Sequence, residues 1–270
     1  MKQKEYNRGI KYYFRVWKTI LKNSFKSYNV YKLDVVIRII RMVFVVVVQL
    51  ALLQVVFGEQ EAFVGWSKSQ AYLVAGIWNL LNYSGWAFFG VNLLRLDQTV
   101  LNGNFDFIIL KPLSSAFLAS FSDFFISNFI TAISGVILVG YYFVVEWSTL
   151  EIVNVLIWIL TMICAFVVWY SIHLAGASYT LKNPRNGYLD LIKEVLGTTK
   201  YPTDIFGDSV QFVFYTFFPL AFLTSIPANI LIGKISIYWV FGSIVLAIIS
   251  LFLANLLWKM NIKYYSSSGG

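Results

Sequence analysis

Residues 35–57 read VVIRIIRMVFVVVVQLALLQVVF, an apolar stretch broken only by Arg38, Arg41, Gln49 and Gln54. About 20 mostly apolar residues are enough for a helix to cross the hydrocarbon core of a bilayer. Runs of the same kind recur near 71–94, 113–144, 152–174, 209–232 and 237–258, so the sequence predicts six transmembrane helices. The third and fifth runs are long enough to be tilted or broken. The fifth also holds Pro219 and Pro227, each lacking a backbone donor, which predicts a broken or re-entrant outer segment between helices 5 and 6. The expected fold is an all-α polytopic membrane protein in three parts. Residues 1–34 are a cytoplasmic amphipathic amino-terminal region, 35–258 a single six-helix transmembrane domain, and 259–270 a cytoplasmic tail.

Composition leads to the same place. Of 270 residues, 59% are hydrophobic and 13% charged, about half the charge of a soluble domain, which carries about 25%. The single cysteine, Cys164, rules out an internal disulfide and a CxxC site, and the single histidine, His173, rules out HExxH and paired-histidine metal sets. No GxxxxGK[ST] loop is present, so ATP hydrolysis by that machinery is not expected of this chain. Ser84 and His173 faintly suggest an intramembrane serine protease. Their positions place Ser84 about ten residues, or roughly 15 Å, from the helix end at which His173 sits, so the pair is not expected to meet.

With the amino terminus inside, the segments 1–41, 95–111, 175–208 and 259–270 carry 19 of the 21 lysines and arginines. Only Lys68 and Lys234 remain for the outer loops, which hold Glu59, Glu61, Glu146 and Glu151. The positive-inside rule therefore predicts both termini in the cytoplasm and accounts for the net charge of +8 without nucleic acid. The first apolar run has no small-residue cleavage site after it and reads as a retained anchor. The closing Ser266–Gly270 tract reads as a flexible linker.

Between Arg8 and Lys32, the basic residues Lys11, Arg15, Lys18, Lys22 and Lys26 recur every three or four positions and share one helical face. Ile10, Phe14, Trp17, Leu21, Phe25 and Tyr28 fall on the adjoining face. This predicts an interfacial helix with its apolar side in the headgroup boundary and its cations toward anionic lipid or an acidic partner.

The loop from Arg95 to Pro112 is too apolar to hang free in water. Val100, Leu101, Phe105, Phe107 and Ile108 need a covering surface, membrane or protein groove, and Gly103 marks a turn. The third span carries Ser120, Asp123, Ser127, Thr131 and Ser134 at spacings of three and four, which on one helix gives one polar face. A carboxylate at the helix centre costs about 2.5 to 3.5 kcal/mol on insertion scales, so Asp123 should face the bundle interior or water. The stripe reads either as a transport pathway or as close-packing helix contacts. Asn79 and Asn82 are expected to make interhelical hydrogen bonds. Trp78, Trp86, Phe88, Phe89, Phe121, Phe124 and Phe125 would suit an amphipathic or cationic hydrophobic cargo, or would simply line lipid.

This order of features resembles the transmembrane subunit of ABC-2 type transporters over nearly the whole chain. Gly103-Asn-Phe-Asp106 with Leu110-Lys-Pro-Leu113, then Tyr201-Pro202, Phe218-Pro219 and Ile226-Pro-Ala228, look like landmarks of a bacterial six-helix subgroup whose ATPase is encoded separately. The resemblance implies an exporter permease in the bacterial cytoplasmic membrane, in a family whose cargo ranges from drugs and peptides to lipids and polysaccharides. It would pair with a second copy or a homologous permease above two ATPase subunits that hold the ATP and Mg, with no cofactor on this chain. It also implies a coupling helix from Leu96 to Leu110, including Leu96, Val100, Leu101, Gly103, Phe105, Asp106 and Phe107, and an outer gate around Pro219 and Pro227. The stretch Thr180–Asp208 would add a second ATPase contact. An ATP-independent channel or carrier is the alternative, although only one broken span and no internal repeat is evident.

Overall fold

The computed structural model describes residues 9–28, 32–60, 62–184, 187–216 and 219–266. Lys2, Lys4, Arg8, Glu61, Arg185, Phe218 and the tract from Ser267 lie outside the described residues. The described chain is almost wholly helical, as the apolar runs require. Two long helices open it, α1 (Ile10–Tyr28) and α2 (Lys32–Phe57). A two-stranded hairpin follows, β1 (Ala62–Phe63) and β2 (Trp66–Ser67), antiparallel with Phe63 opposite Trp66. Its end of the bundle is called upper below, and the end holding residues 95–114 is called lower.

Ser67 starts α3 (Lys68–Gly85) through a capping box. Its hydroxyl accepts from the Gln70 amide, and the Gln70 side chain accepts from the Ser67 amide. A π turn at Trp86–Gly90 continues into α4 (Val91–Leu94). The lower loop holds α5 (Leu96–Leu101) and α6 (Phe105–Ile109), and the chain then returns through α7 (Ser115–Phe121) and α8 (Ile126–Val145). Next come α9 (Ile152–Thr180), α10 (Tyr188–Gly197), α11 (Asp208–Thr216), α12 (Ser225–Ile232) and α13 (Tyr238–Asn261).

Helices α3 and α8 pack antiparallel at backbone distance. A Cβ on Gly135 would lie 2.5 Å from the Leu80 amide and 2.6 Å from the Gly76 carbonyl, so only glycine fits that crossing. Gln49 on α2 and Asn79 on α3 exchange two hydrogen bonds, at 2.9 and 2.7 Å, which is the interhelical role expected of Asn79. Asn82 instead accepts from Trp86 Nε1 one turn along its own helix, at 3.0 Å. Outward faces of the long helices are apolar and exposed, among them Val36, Ile37, Phe44, Val136, Ile163 and Phe252. That pattern belongs to a bundle solvated by lipid.

Four helical segments are long and apolar enough to cross a membrane: Val36–Phe57, Ile126–Val145, Ile152–Thr180 and Tyr238–Tyr264. They correspond to expected spans one, three, four and six. The other two depart from expectation in an instructive way. Span two is a helix with a π turn inside it, carrying Asn79, Asn82, Ser84 and Asn92, so its apolarity is diluted.

The fifth apolar run, 209–232, does not pass through the bundle. Its helices α11 and α12 both lie in the upper half, where Tyr215 meets Trp239 at the start of α13, with ring centroids 5.5 Å apart. Gly233 closes α12 beside Asn154 near the upper start of α9. The climb from the lower end is made by the preceding stretch, which the sequence placed in an inner loop ending at Asp208. Tyr188 packs on Tyr179 at the lower end of α9, Ile192 packs on Gly176, and by Asp204 the chain has reached Trp66 at the upper end. Apolar run length misled here because α10 is amphipathic, with Leu189 and Leu196 buried and its polar side exposed.

Candidate functional site

Three places on the bundle hold the residues singled out from sequence. The first is the lower loop. Gly103 adopts φ +71° between α5 and α6, a left-handed turn that glycine permits without strain. The turn sends alternate apolar residues to opposite sides. Leu96, Val100 and Phe105 are buried in the chain's own core, Phe105 completely, its ring 4.9 Å from that of Tyr265 and 6.4 Å from that of Trp258. Leu101, Phe107 and Leu110 point outward, with Phe107 65% exposed. The loop's apolar residues thus divide into a set that braces the loop from behind and a set open to a covering surface.

The brace includes a polar tie that the sequence did not reveal. Tyr265, beyond the last helix, donates from its hydroxyl to Asp106 Oδ1 at 3.0 Å. Burial first, and then the Asp106 carboxylate, push the Tyr265 phenol up to about 12. Trp258 Nε1 donates to Ser115 Oγ at 3.0 Å, and Asn261 Nδ2 to Ser178 Oγ at 2.8 Å, so the end of α13 is fastened to both α7 and α9.

The second place is the third span. The five polar residues expected on one helical face do not share a helix, because the span breaks at Ser122–Phe125. Ser120 is buried on α7, bonded to the Ala116 carbonyl at 2.7 Å and to the Tyr170 hydroxyl at 3.1 Å. Asp123 lies in the break and is exposed. Ser127, Thr131 and Ser134 sit on α8, with the Thr131 hydroxyl donating to the Ser127 carbonyl and that of Ser134 to the Thr131 carbonyl. Thr131 and Ser134 therefore spend their donors on their own helix, while Asp123 stands apart.

Backbone groups freed by the break are satisfied from neighbouring helices, as buried backbone groups require. Asn92 Nδ2 donates to the Ser120 and Asp123 carbonyls, both at 2.8 Å, and Asn92 Oδ1 accepts from Ser122 Oγ at 3.1 Å. The Phe125 amide donates to the Ala87 carbonyl inside the π turn at 2.9 Å, and the Phe124 amide to Ser24 Oγ on α1 at 3.3 Å. Asn92 was missed from sequence. Its signal was an asparagine at the end of an apolar run, the same signal that drew notice to Asn79 and Asn82.

Around this break the aromatic residues pack on one another. Phe88 meets Phe124, Phe129 and Phe166, and Phe89 meets Phe121, Phe166, Trp169 and Tyr170, with ring centroids 4.8 to 6.3 Å apart. Beside them, Leu80, Leu81, Ser84, Trp158, Met162 and Phe166 line an open apolar groove of about 410 Å³ between α3 and α9. Ser84 donates to the Leu80 carbonyl, while His173 is bonded to the Trp169 carbonyl at 2.9 Å and stacked on the Trp169 ring. Each is engaged on its own helix.

The third place is the upper end. Pro219 precedes a short 3-10 turn, Leu220–Phe222, and Pro227 is buried in the first turn of α12. The Thr203 amide and hydroxyl both donate to Ser225 Oγ, at 2.9 and 2.7 Å, and the Thr224 hydroxyl donates to the Thr199 carbonyl at 2.6 Å. Trp66 Nε1 donates to Asp204 Oδ2 at 2.8 Å. The Lys234 ammonium lies 4.8 Å from the centroid of the Trp66 ring and donates to the Gly65 carbonyl at 2.7 Å. Trp66 therefore joins three connections, those before α3, before α11 and after α12.

Fold and site together define a polytopic α-helical membrane protein with an apolar loop at one end and a broken helical segment confined to the other. The model of the ABC-2 family transporter proteins matches residues 42–269, and the chain belongs to that family. It is accordingly a multi-pass permease of the ABC type, a class that works with an ATPase partner. No curated protein and no solved structure matches the chain.

Proposed function

We propose that this chain is one permease half of an ATP-driven exporter in a bacterial cytoplasmic membrane, paired with a second copy or a homologous permease above two ATPase subunits. The lower end faces the cytoplasm in this reading. The lysine and arginine bias supports that orientation, since among the described basic residues counted inside only Lys200 moves toward the other end with the climbing segment. Counting the π-turn span and the climb from α10 to Asp204 as crossings gives six passages.

The observation that carries the reading is the divided lower loop. Leu101, Phe107 and Leu110 are exposed at the lower end of the bundle, and Phe105 holds them from behind. An apolar patch on a braced loop outside the membrane suits docking into a groove of a partner subunit. ATP-driven closure of the partner would move the loop, and α13, fastened to it through Tyr265 and Trp258, would carry the movement toward the upper end. The break held by Asn92 gives the third span a place to bend. The segment from Pro219 to Gly233 would act as the outer gate. ATP and Mg belong to the partner, and hydrolysis takes place there.

The test is purification from native membranes in mild detergent, with mass spectrometry of what copurifies and an ATPase assay on the complex. A stoichiometric ATPase carrying a phosphate-binding loop is the expected companion, and Phe107→Asp should release it while Phe252→Leu, on the outward face of α13, should not. A chain that purifies alone and moves solute in vesicles without ATP would overturn the proposal in favour of a carrier.

A further inference from the structure

Helix α1 shows the bundle one face and the surroundings another. Tyr13, Trp17, Leu21 and Ser24 form the packed face. The Tyr13 ring lies 4.9 Å from Phe117 and its hydroxyl accepts from the Ser114 amide, Trp17 stacks on Phe88 at 5.9 Å, and Leu21 packs against the cluster of Ala87, Phe124 and Ile126. At 100° per residue, Lys11, Arg15, Lys18, Lys22 and Lys26 fall on roughly the opposite side, and all five are exposed. Of the apolar stripe expected to enter the headgroup boundary, Trp17 and Leu21 are used for packing on the protein. What remains outside is the cation row, flanked by exposed Ile10, Phe14 and Phe25.

We propose that this outer face of α1 is a binding surface for anionic phospholipid headgroups. The cations span about 22 Å at 1.5 Å rise per residue, a straight row suited to a plane of phosphates. Ile10–Tyr28 contains no aspartate or glutamate that would weaken the attraction. Phe14 and the exposed half of Phe25, whose ring also packs 5.7 Å from that of Phe124, are the kind of side chain that sinks into the boundary between headgroups and acyl chains while neighbouring lysines hold phosphate. An acidic protein would satisfy the charges, yet a membrane satisfies charges and phenylalanines together at the lower end of a lipid-solvated bundle. The surface bears directly on the third span, because the same helix accepts the Phe124 amide at Ser24 inside the break. Lipid held on one side of α1 thus steadies the hinge on the other.

The experiment uses the full chain in vesicles of phosphatidylcholine alone or mixed with phosphatidylglycerol, followed by extraction and mass spectrometry of the retained lipid. Phosphatidylglycerol should be enriched over its share in the vesicle, and the enrichment should fall as salt rises. Each lysine replaced by glutamine among Lys11, Lys18 and Lys22 should lower it by roughly fivefold, and arginine at the same positions should restore it. Enrichment indifferent to salt in the unaltered chain, or equal in the glutamine variants, overturns the proposal. So does a glutamine variant that loses a copurifying acidic protein and keeps its lipid profile. The salt series needs no substitution, and the outcome does not depend on ATPase docking.

Discussion

Tyr265 donates its hydroxyl to Asp106 Oδ1 at 3.0 Å, joining a residue after the last helix to one in the loop between the second and third spans, 159 positions earlier. The bond closes the lower end, because Phe105, beside Asp106, is buried under the Tyr265 ring. Tyr265→Phe keeps that ring and deletes the donor. Amide hydrogen exchange at residues 103–109 should then speed up by roughly threefold to tenfold, the range for a lost hydrogen bond of ordinary strength. Exchange around Trp66 at the far end should be unchanged. Equal protection of 103–109 in both proteins would mean that ring packing alone holds the loop.

The same pair sets a pH window. The phenol is raised from its ordinary 10 to about 12 in the folded chain, by burial first and by Asp106 second. A raised folded value favours the protonated form, so the contribution is fully present below pH 10 and is lost as pH rises toward about 12. Protection of 103–109 should therefore stay level from neutral pH up to about 10, once corrected for intrinsic exchange, and fall above it, with Tyr265→Phe removing this step.

Asn92 holds the break in the third span with both ends of its amide. Asn92→Leu leaves the Ser120 and Asp123 carbonyls without that donor and should cost about 1 to 3 kcal/mol. Asn92→Asp should be worse, because it sets a carboxylate against the same two carbonyls. Thermal unfolding in detergent checks the order. A leucine variant less stable than the aspartate one would argue that the carbonyls find other donors.

These features differ in how far the sequence disclosed them. Long apolar helices were legible because twenty lipid-facing residues leave a compositional trace, and Gly103 because a turn was needed between two short amphipathic pieces. The climb from α10 to Asp204 was not, since α10 is amphipathic and short and periodicity cannot say which end of a bundle a segment reaches. Spacing put Asp123 in register with Ser120 and Ser127, but spacing assumes an unbroken helix. The partners that stabilise the break, Asn92, Ser24 and the Ala87 carbonyl, come from two other segments far off in sequence. Tyr265 lay in what read as a tail, with nothing local to mark its partner.

The contact of α3 with α8 rests on the absence of a side chain. Gly135→Ala would place a methyl against the Leu80 amide and the Gly76 carbonyl, backbone atoms that cannot turn away. Separating the helices should cost about 1 to 3 kcal/mol, typical of overpacking, and lower the midpoint of thermal unfolding. Gly140→Ala on the same helix meets nothing within 4 Å and should be neutral. Equal effects of the two would refute the close-approach account.

At the upper end, Trp66 lies between an anion and a cation. Asp204 accepts from its indole, and Lys234 rests over its ring while bonding the Gly65 carbonyl and, at 3.0 Å, Gln70 Oε1. Burial lowers the Lys234 ammonium from its ordinary value, and Asp204 works in the opposite direction, so the carboxylate helps to keep the charge on that lysine. Any movement that parts the climbing segment from the hairpin must break the Trp66 to Asp204 bond, and the Thr203 to Ser225 contacts link the climbing segment to α12. Asp204→Ala should therefore favour the open arrangement by about 1.5 to 3 kcal/mol, the scale of a hydrogen bond to a charged group, or roughly tenfold and more in population. Leu220, buried beneath, reports the change. In a Cys164→Ala background, Leu220→Cys should react with a membrane-impermeant maleimide at least tenfold faster once Asp204 is alanine, and reaction at the same rate with Asp204 intact would show that the cluster does not hold the segment closed.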